Sequence, residues 1–172
     1  MNYSAKAKLM HWSLGFIIMM MLVIGYSLDD IPIAHKSFFY YLHKSTGVLV
    51  GILVIMRLFM RFTSKYPPLP PEVSPVLVLI AKLNLVGLYI MMICMPLSGV
   101  LMSIFAGYPV PFFGLFEISG LKVNNQYAHF FRETHEICGE IFVFLIFLHI
   151  LGGLFHHFIL KDNVLKRMFI KI

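Results

Sequence analysis

Charge is scarce in this sequence: 13% of its 172 residues are Asp, Glu, Lys or Arg, about half the roughly 25% of a typical soluble domain. A water-exposed globule is thereby excluded. Cysteine is nearly absent, and Cys94 and Cys138 both fall inside apolar segments. A disulfide scaffold or a CxxC-type site therefore finds no support, and both are read as buried free thiols. The first apolar run is as long as a spanning helix and has no small-residue cleavage site behind it, so it is read as a retained span rather than a secretory signal. The basic excess, a formal net charge of +6, forms no stripe with interleaved aromatics, which removes nucleic acid as a partner.

What the chain has in abundance is apolar sequence, 59% of all residues. It comes in uncharged stretches long enough to cross ~30 Å of hydrocarbon. Spans are expected at about residues 9–28, 38–62, 80–105 and 127–160. Asp29, Asp30 and Pro32 end the first, and the Tyr66-Pro67-Pro68-Leu69-Pro70-Pro71 run forbids a helix between the second and third. Pro96 and Gly99 predict a kink near Cys94. The loop from Gly107 to about Gln126, rich in Gly, Pro and Phe, is expected to lie folded at the interface. The fourth span exceeds the bilayer thickness, so its first turns should project into water. The fold class is an all-α integral membrane protein, a four-transmembrane-helix bundle forming one domain over residues 1–172.

Lys6, Lys8, Arg57, Arg61, Lys65, Lys82, Lys161, Lys166, Arg167 and Lys171 flank one side of these spans, whereas Lys36, Lys44, Lys122 and Arg132 flank the other. The excess of positive charge on the first side places both termini in the cytoplasm.

Eight histidines are many for a membrane protein of this size, since an ionisable side chain within a span is expensive and marks a pathway or a ligand. His11 sits near the inner end of the first span and His43 near the outer end of the second. His135 and His149 lie 14 residues apart on the fourth. Two heptads keep both on one face, about 21 Å apart along the axis. The expected pairs are therefore His11 with His149 and His43 with His135. Gly15, Gly47, Gly139 and Gly153 each follow one of these histidines by four residues, on the same helix face, where a flat macrocycle needs room. A single membrane histidine is more often an interhelical hydrogen-bond partner, but four at two matched depths call for another account. Zinc would be left short of its usual four ligands. Two axial imidazoles and four porphyrin nitrogens complete an iron site with no open position, suited to electron transfer. The expected cofactors are thus two haem b groups.

The segments Met10-His11-Trp12, Leu42-His43-Lys44-Ser45-x-Gly47, Arg57-x-x-x-Arg61, Thr134-His135-Glu136, Leu148-His149 and His156-His157-x-x-x-Lys161-Asp162-Asn163-x-Leu165-x-Arg167-Met168 together resemble the bacterial cytochrome b561 family, the four-helix dihaem proteins that include the superoxide oxidase. The resemblance spans nearly the whole chain. It departs at Lys82 and Leu85, where relatives often carry a histidine pair, and at Thr134, where a tryptophan often stands. The resemblance implies haem ligation by His11, His43, His135 and His149, and residence in a bacterial inner membrane. It also implies one-electron exchange with a quinone such as ubiquinone, and superoxide as an outer donor. His156, seven residues beyond His149 and about 10 Å further along the axis, is then the expected quinone contact, with His157 unassigned. Arg57 and Arg61 at the inner side, and Lys44 and Arg132 at the outer, are candidate partners for haem propionates or ordinary snorkelling cations. Glu140 lies deep enough for a proton path, beside Glu133 and Glu136. The alternative from another class is a haem-bearing anchor subunit that relays electrons for a separate dehydrogenase, and a histidine-lined metal transporter is a third.

Overall fold

The computed structural model describes residues 3–64, 67 and 73–169. Lys65, Tyr66, Pro68, Leu69, Pro70, Pro71 and Lys171, used above for the linker and the charge balance, lie outside the described residues. Four helices carry the chain: α1 (Ala5–Ser27), α2 (Ile33–Thr63), α3 (Pro75–Phe105) and α4 (Asn125–Phe158). All four are long and apolar enough to cross a membrane. At ~1.5 Å per residue even the shortest, with 23 residues, exceeds the ~30 Å hydrocarbon layer.

Each helix begins several residues before the apolar stretch that revealed it, because hydropathy marks where the bilayer is and capping marks where the helix starts. Ser4 accepts from the Ala7 N–H, Ser74 from Leu77 and Asn124 from Tyr127, each satisfying a donor that the first turn leaves unpaired. Pro75 occupies the first turn of α3, where its missing N–H does no harm. Pro32 sits at the boundary before α2, so that helix includes His35 and Lys36, and begins five residues ahead of the expected start at Phe38. Pro96 is accommodated inside α3.

Between α3 and α4 the expected interfacial loop contains a small antiparallel hairpin, β1 (Val110–Phe112) with β2 (Phe116–Ile118), pairing Val110 with Ile118 and Phe112 with Phe116. Its turn places both Phe113 and Gly114 at positive φ, 48° and 75°. Glycine adopts this region freely, but an aromatic residue there needs outside support. Ser45 of α2 supplies it. Its hydroxyl, fully buried, donates to the Pro111 carbonyl at 3.1 Å and accepts from the Phe113 N–H at 3.2 Å. Lys44 adds a bond to the Pro109 carbonyl and lies over the Tyr108 ring. The hairpin is thus fastened to α2 one and two residues beyond His43.

Close backbone approach is concentrated between α3 and α4, with α2 against α3 and α1 against α2 next. Gly87 permits it on α3, since a Cβ there would come within 2.9 Å of Leu145, and the Asn84 amide bonds the Leu145 carbonyl. No comparable approach of α4 to α1 or α2 occurs among the described residues. Mid-bundle, Leu14, Ile18, Val50, Val54, Leu88, Met92 and Phe142 form the buried apolar core.

Replacing Ser45 with Ala leaves two backbone groups of the hairpin without partners. The expected cost is about 1–3 kcal/mol, read as a lowered thermal unfolding midpoint in detergent together with new protease cleavage near Phe113. Unchanged cleavage would show that the hairpin does not depend on this hydroxyl.

Candidate functional site

The imidazoles fall into two facing pairs, as their depths predicted. His11 of α1 and His149 of α4 have ring centroids 6.0 Å apart. This terminal level is the end of the bundle that carries the described chain termini. At the hairpin level, His43 of α2 and His135 of α4 stand 6.4 Å apart. Both distances have a direct chemical meaning. Imidazole nitrogens about 2.0–2.1 Å from a shared metal ion, with ring centres about 1.1 Å behind them, put the centroids about 6.3 Å apart. Among the described residues no group of three or more His, Cys, Asp or Glu side chains converges as a metal cluster would. The donor set at each level is a pair of imidazoles, which fits iron already held by a macrocycle.

Helix spacing agrees. α4 faces α1 and α2 across these histidines without close backbone contact, while α3 braces it from the other side. A Cβ added at Gly15 would meet nothing within 4 Å, and at Gly47, Gly139 and Gly153 it would find only ordinary contacts of 3.7–3.9 Å. Two other glycines touch the imidazoles themselves. A Cβ at Gly25 of α1 would lie 3.3 Å from His43 Cε1, and one at Gly99 of α3 would lie 3.2 Å from His135 Cε1. The sequence reading missed Gly25, and saw in Gly99 only a helix kink.

Polar partners differ between the four imidazoles. The His135 Nδ1–H donates to the Met95 carbonyl at 3.0 Å and stands 3.0 Å from the Ser98 hydroxyl. A carbonyl only accepts, so the proton is on Nδ1 and the Nε2 lone pair is left for a metal. The buried His43 Nδ1 has no hydrogen-bond partner among the described residues. At the terminal level the Arg57 guanidinium donates to His11 Nδ1 at 3.1 Å, which places that ring's proton on Nε2; ligation through Nε2 requires Arg57 to turn to another acceptor. Arg57 and Arg61 both line the cleft between His11 and His149, together with Tyr89, Val164 and Met168. His149 is solvent-exposed where it borders this cleft.

Residues 164 and 168 reach the cleft because the chain turns back after α4. His156 is buried and donates from Nδ1 to Asp162 at 2.6 Å, while the other Asp162 oxygen accepts from the Val164 N–H. A 3₁₀ turn, Lys166–Met168, follows. Its end is tied to α1 by Trp12 Nε1, which donates to the Met168 carbonyl at 2.9 Å, by Lys8, which donates to Phe169, and by Trp12 stacked on the Phe169 ring. His157 Nδ1 is buried without a hydrogen-bond partner among the described residues. His129 is exposed beside Glu133, Arg132 pairs with Glu136, and Glu140 is exposed. Cys94 and Cys138 are free thiols that face each other between α3 and α4.

The profile of the prokaryotic cytochrome b561 family matches residues 2–171, nearly the whole chain. The protein belongs to that family, and is a membrane electron carrier of the b-haem class. Among its relatives are a Yersinia pestis protein named "probable superoxide oxidase CybB", 27% identical over 97% of this chain and 95% of its own length, and cytochrome b561 homolog 2 of Escherichia coli, 30% identical over 97% of this chain and 90% of its own. Cytochrome b561 homolog 1 of the same organism is 30% identical over 73% of this chain and 72% of its own length.

Asp162 sets a pH limit on the returning segment. Burial raises its carboxyl, but the hydrogen bonds from His156 and Val164, with the charges of His156 and Arg167, outweigh that and hold it below the usual carboxylate range. A carboxylate depressed by folding contributes stability that is present at neutral pH and is lost as pH falls through its folded value. Trp12 is the lone tryptophan and reports on the segment. Its fluorescence should hold steady from pH 8 to about 5 and change only below the carboxylate range; in Asp162→Asn it should already be altered at pH 7. Identical emission in both proteins would detach the Trp12 contacts from the His156–Asp162 pair.

Proposed function

We propose that this protein carries single electrons across a prokaryotic inner membrane, holding one haem b between His11 and His149 and a second between His43 and His135. The observation that carries this reading is the two facing imidazole pairs, with ring centroids 6.0 and 6.4 Å apart, which would leave room for one iron between each pair. Haem b, when bound, would supply reversible one-electron chemistry. His43 and His135 fix one site, and His11 and His149 the other. Arg57 and Arg61 face the terminal-level cleft, where anionic propionates would take their charge.

Both termini are assigned to the cytoplasm, on the balance of Lys and Arg between the two ends. The hairpin level then faces outward. The outer donor is proposed to be superoxide, the substrate class named in the Yersinia relative. Lys44, held beside His43 by the Pro109 carbonyl, provides local positive charge for a small anion together with Lys122, while Arg132 is already paired with Glu136. The acceptor is proposed to be ubiquinone at the terminal level, in contact with His156. Asp162 engages His156 Nδ1, so when the ring carries its second proton Nε2–H is the group that would donate to a quinone carbonyl and pass that proton on. The carboxylate fixes the orientation of the ring for that role.

Haem content and the reduced-minus-oxidised spectrum test the ligands. The wild-type chain should bind two haems, His43→Ala and His135→Ala should each lose the hairpin-level haem, and His11→Ala and His149→Ala the other. Two haems in all four variants would remove the assignment. A zinc signal with no haem spectrum would favour a transporter instead.

The donor and acceptor are tested together in His156→Ala with both haems confirmed. Superoxide generated enzymatically should reduce its haem as fast as in wild type, more slowly as salt rises, while reoxidation by a short-chain quinone should slow by about 100-fold, the lower end of what losing an acid–base group costs. Normal reoxidation would move the quinone site elsewhere, and no reduction under a steady superoxide flux would leave the relay-subunit reading ahead.

A further inference from the structure

α3 contributes none of the four histidines, yet it makes the most intimate contact with one of them. Pro96 lacks an N–H and so removes one rung of the helix. On either side of it the backbone and side chains converge on His135. The Met95 carbonyl accepts from Nδ1–H at 3.0 Å. Ser98, 3% exposed, places its hydroxyl 3.0 Å from the same nitrogen, and gives its own proton to the Cys94 carbonyl at 2.7 Å or to Met95 at 3.1 Å. That bond turns an oxygen lone pair of Ser98 toward the imidazole N–H. Gly99 completes the seat, because any Cβ there would press on the ring at 3.2–3.4 Å. The opposite ligand is treated differently: His43 Nδ1 is buried with no hydrogen-bond partner among the described residues.

We infer that the Met95–Gly99 turn of α3 is a positioning element that orients His135 and tunes the haem it ligates, with Ser98 as its adjustable member. The inference rests on the haem assignment proposed above. An imidazole whose Nδ1–H is given to two oxygen acceptors becomes a more electron-rich ligand through Nε2. Such a ligand favours the ferric over the ferrous ion, and so lowers the reduction potential of its own haem while leaving the other untouched. The unequal hydrogen bonding of His135 and His43 makes α3, rather than either ligand-bearing partner helix, the place where this potential is set.

The test uses the full chain, purified in detergent with its haems, and measures haem per chain, the two midpoint potentials by spectroelectrochemical titration, and the low-spin iron resonance. His135→Ala, which should keep only the terminal-level haem, identifies which potential belongs to which level. Ser98→Ala should retain two haems and raise the hairpin-level potential alone. Loss of one neutral hydrogen bond changes the reduced-to-oxidised ratio by up to about tenfold, or about 59 mV for a one-electron couple. Ser98→Thr, which restores the hydroxyl, should return to the wild-type value. Gly99→Ala should weaken retention of that haem without affecting the other. Unchanged potentials and resonance in Ser98→Ala, or an equal shift of both potentials, would overturn the inference. The two failures are separable. If His135→Ala keeps both haems, the ligand assignment falls; if it loses one while Ser98→Ala titrates as wild type, only the role of α3 falls.

Discussion

An imidazole inside a membrane gains from having its polar nitrogens engaged, because the surrounding hydrocarbon offers neither donor nor acceptor and an unpaired buried group costs about 1–3 kcal/mol. Much of this structure answers that demand. Arg57 reaches His11, the Met95 carbonyl and Ser98 reach His135, and Asp162 reaches His156. The remaining faces of the four pairing rings meet one another across the gap between α4 and the first two helices. Helix packing follows the same need. α3 and α4 pack closely where Gly87 allows it, whereas α1 and α2 are held off from α4.

Depth along the bundle was legible in the sequence, because a helix advances by a fixed rise and a 14-residue interval returns a side chain to its own face. That is why the pairing of His11 with His149 and of His43 with His135 could be read before any coordinates. Which neighbour touches which ring was not legible, since it depends on the rotation of one helix against another. Gly15, Gly47, Gly139 and Gly153 share a face with their histidines and are visible from one helix alone; Gly25 and Gly99 lie on facing helices and become meaningful only once the bundle is assembled. The hairpin was hidden for a similar reason. Its strands are three residues each, too short for a period-two pattern, and its strained Phe113 is supported by Ser45, 68 positions away. His156 was placed by its spacing from His149, but its Asp162 partner follows only from the reversal of the chain after α4.

The two ends of the described chain meet at the terminal level. Lys8 and Trp12, at the start of α1, hold the backbone of Met168 and Phe169. Val164 and Met168 thereby become walls of the cleft that also holds His11, Arg57 and His149. The opposite level has its own cover, the hairpin fastened through Lys44 and Ser45. Each histidine pair is thus bordered at its own end of the bundle by a segment that is not a spanning helix, anchored at Trp12 beside His11 and at Lys44 and Ser45 beside His43.

Between the two levels lies the aliphatic and aromatic layer of Leu14, Ile18, Val50, Val54, Leu88, Met92 and Phe142, with Phe142 seven residues from each of His135 and His149. None of these side chains has a site on which a proton could pause, whereas an electron needs only a short gap of closely packed matter. On the proposed reading, a charge passing through this layer travels unaccompanied, and its counter-ion stays behind at the surface. The protein would then be an element in an electrical circuit as well as a redox carrier: each turnover works against, or draws upon, the membrane voltage, at about 2.3 kcal/mol for every 100 mV.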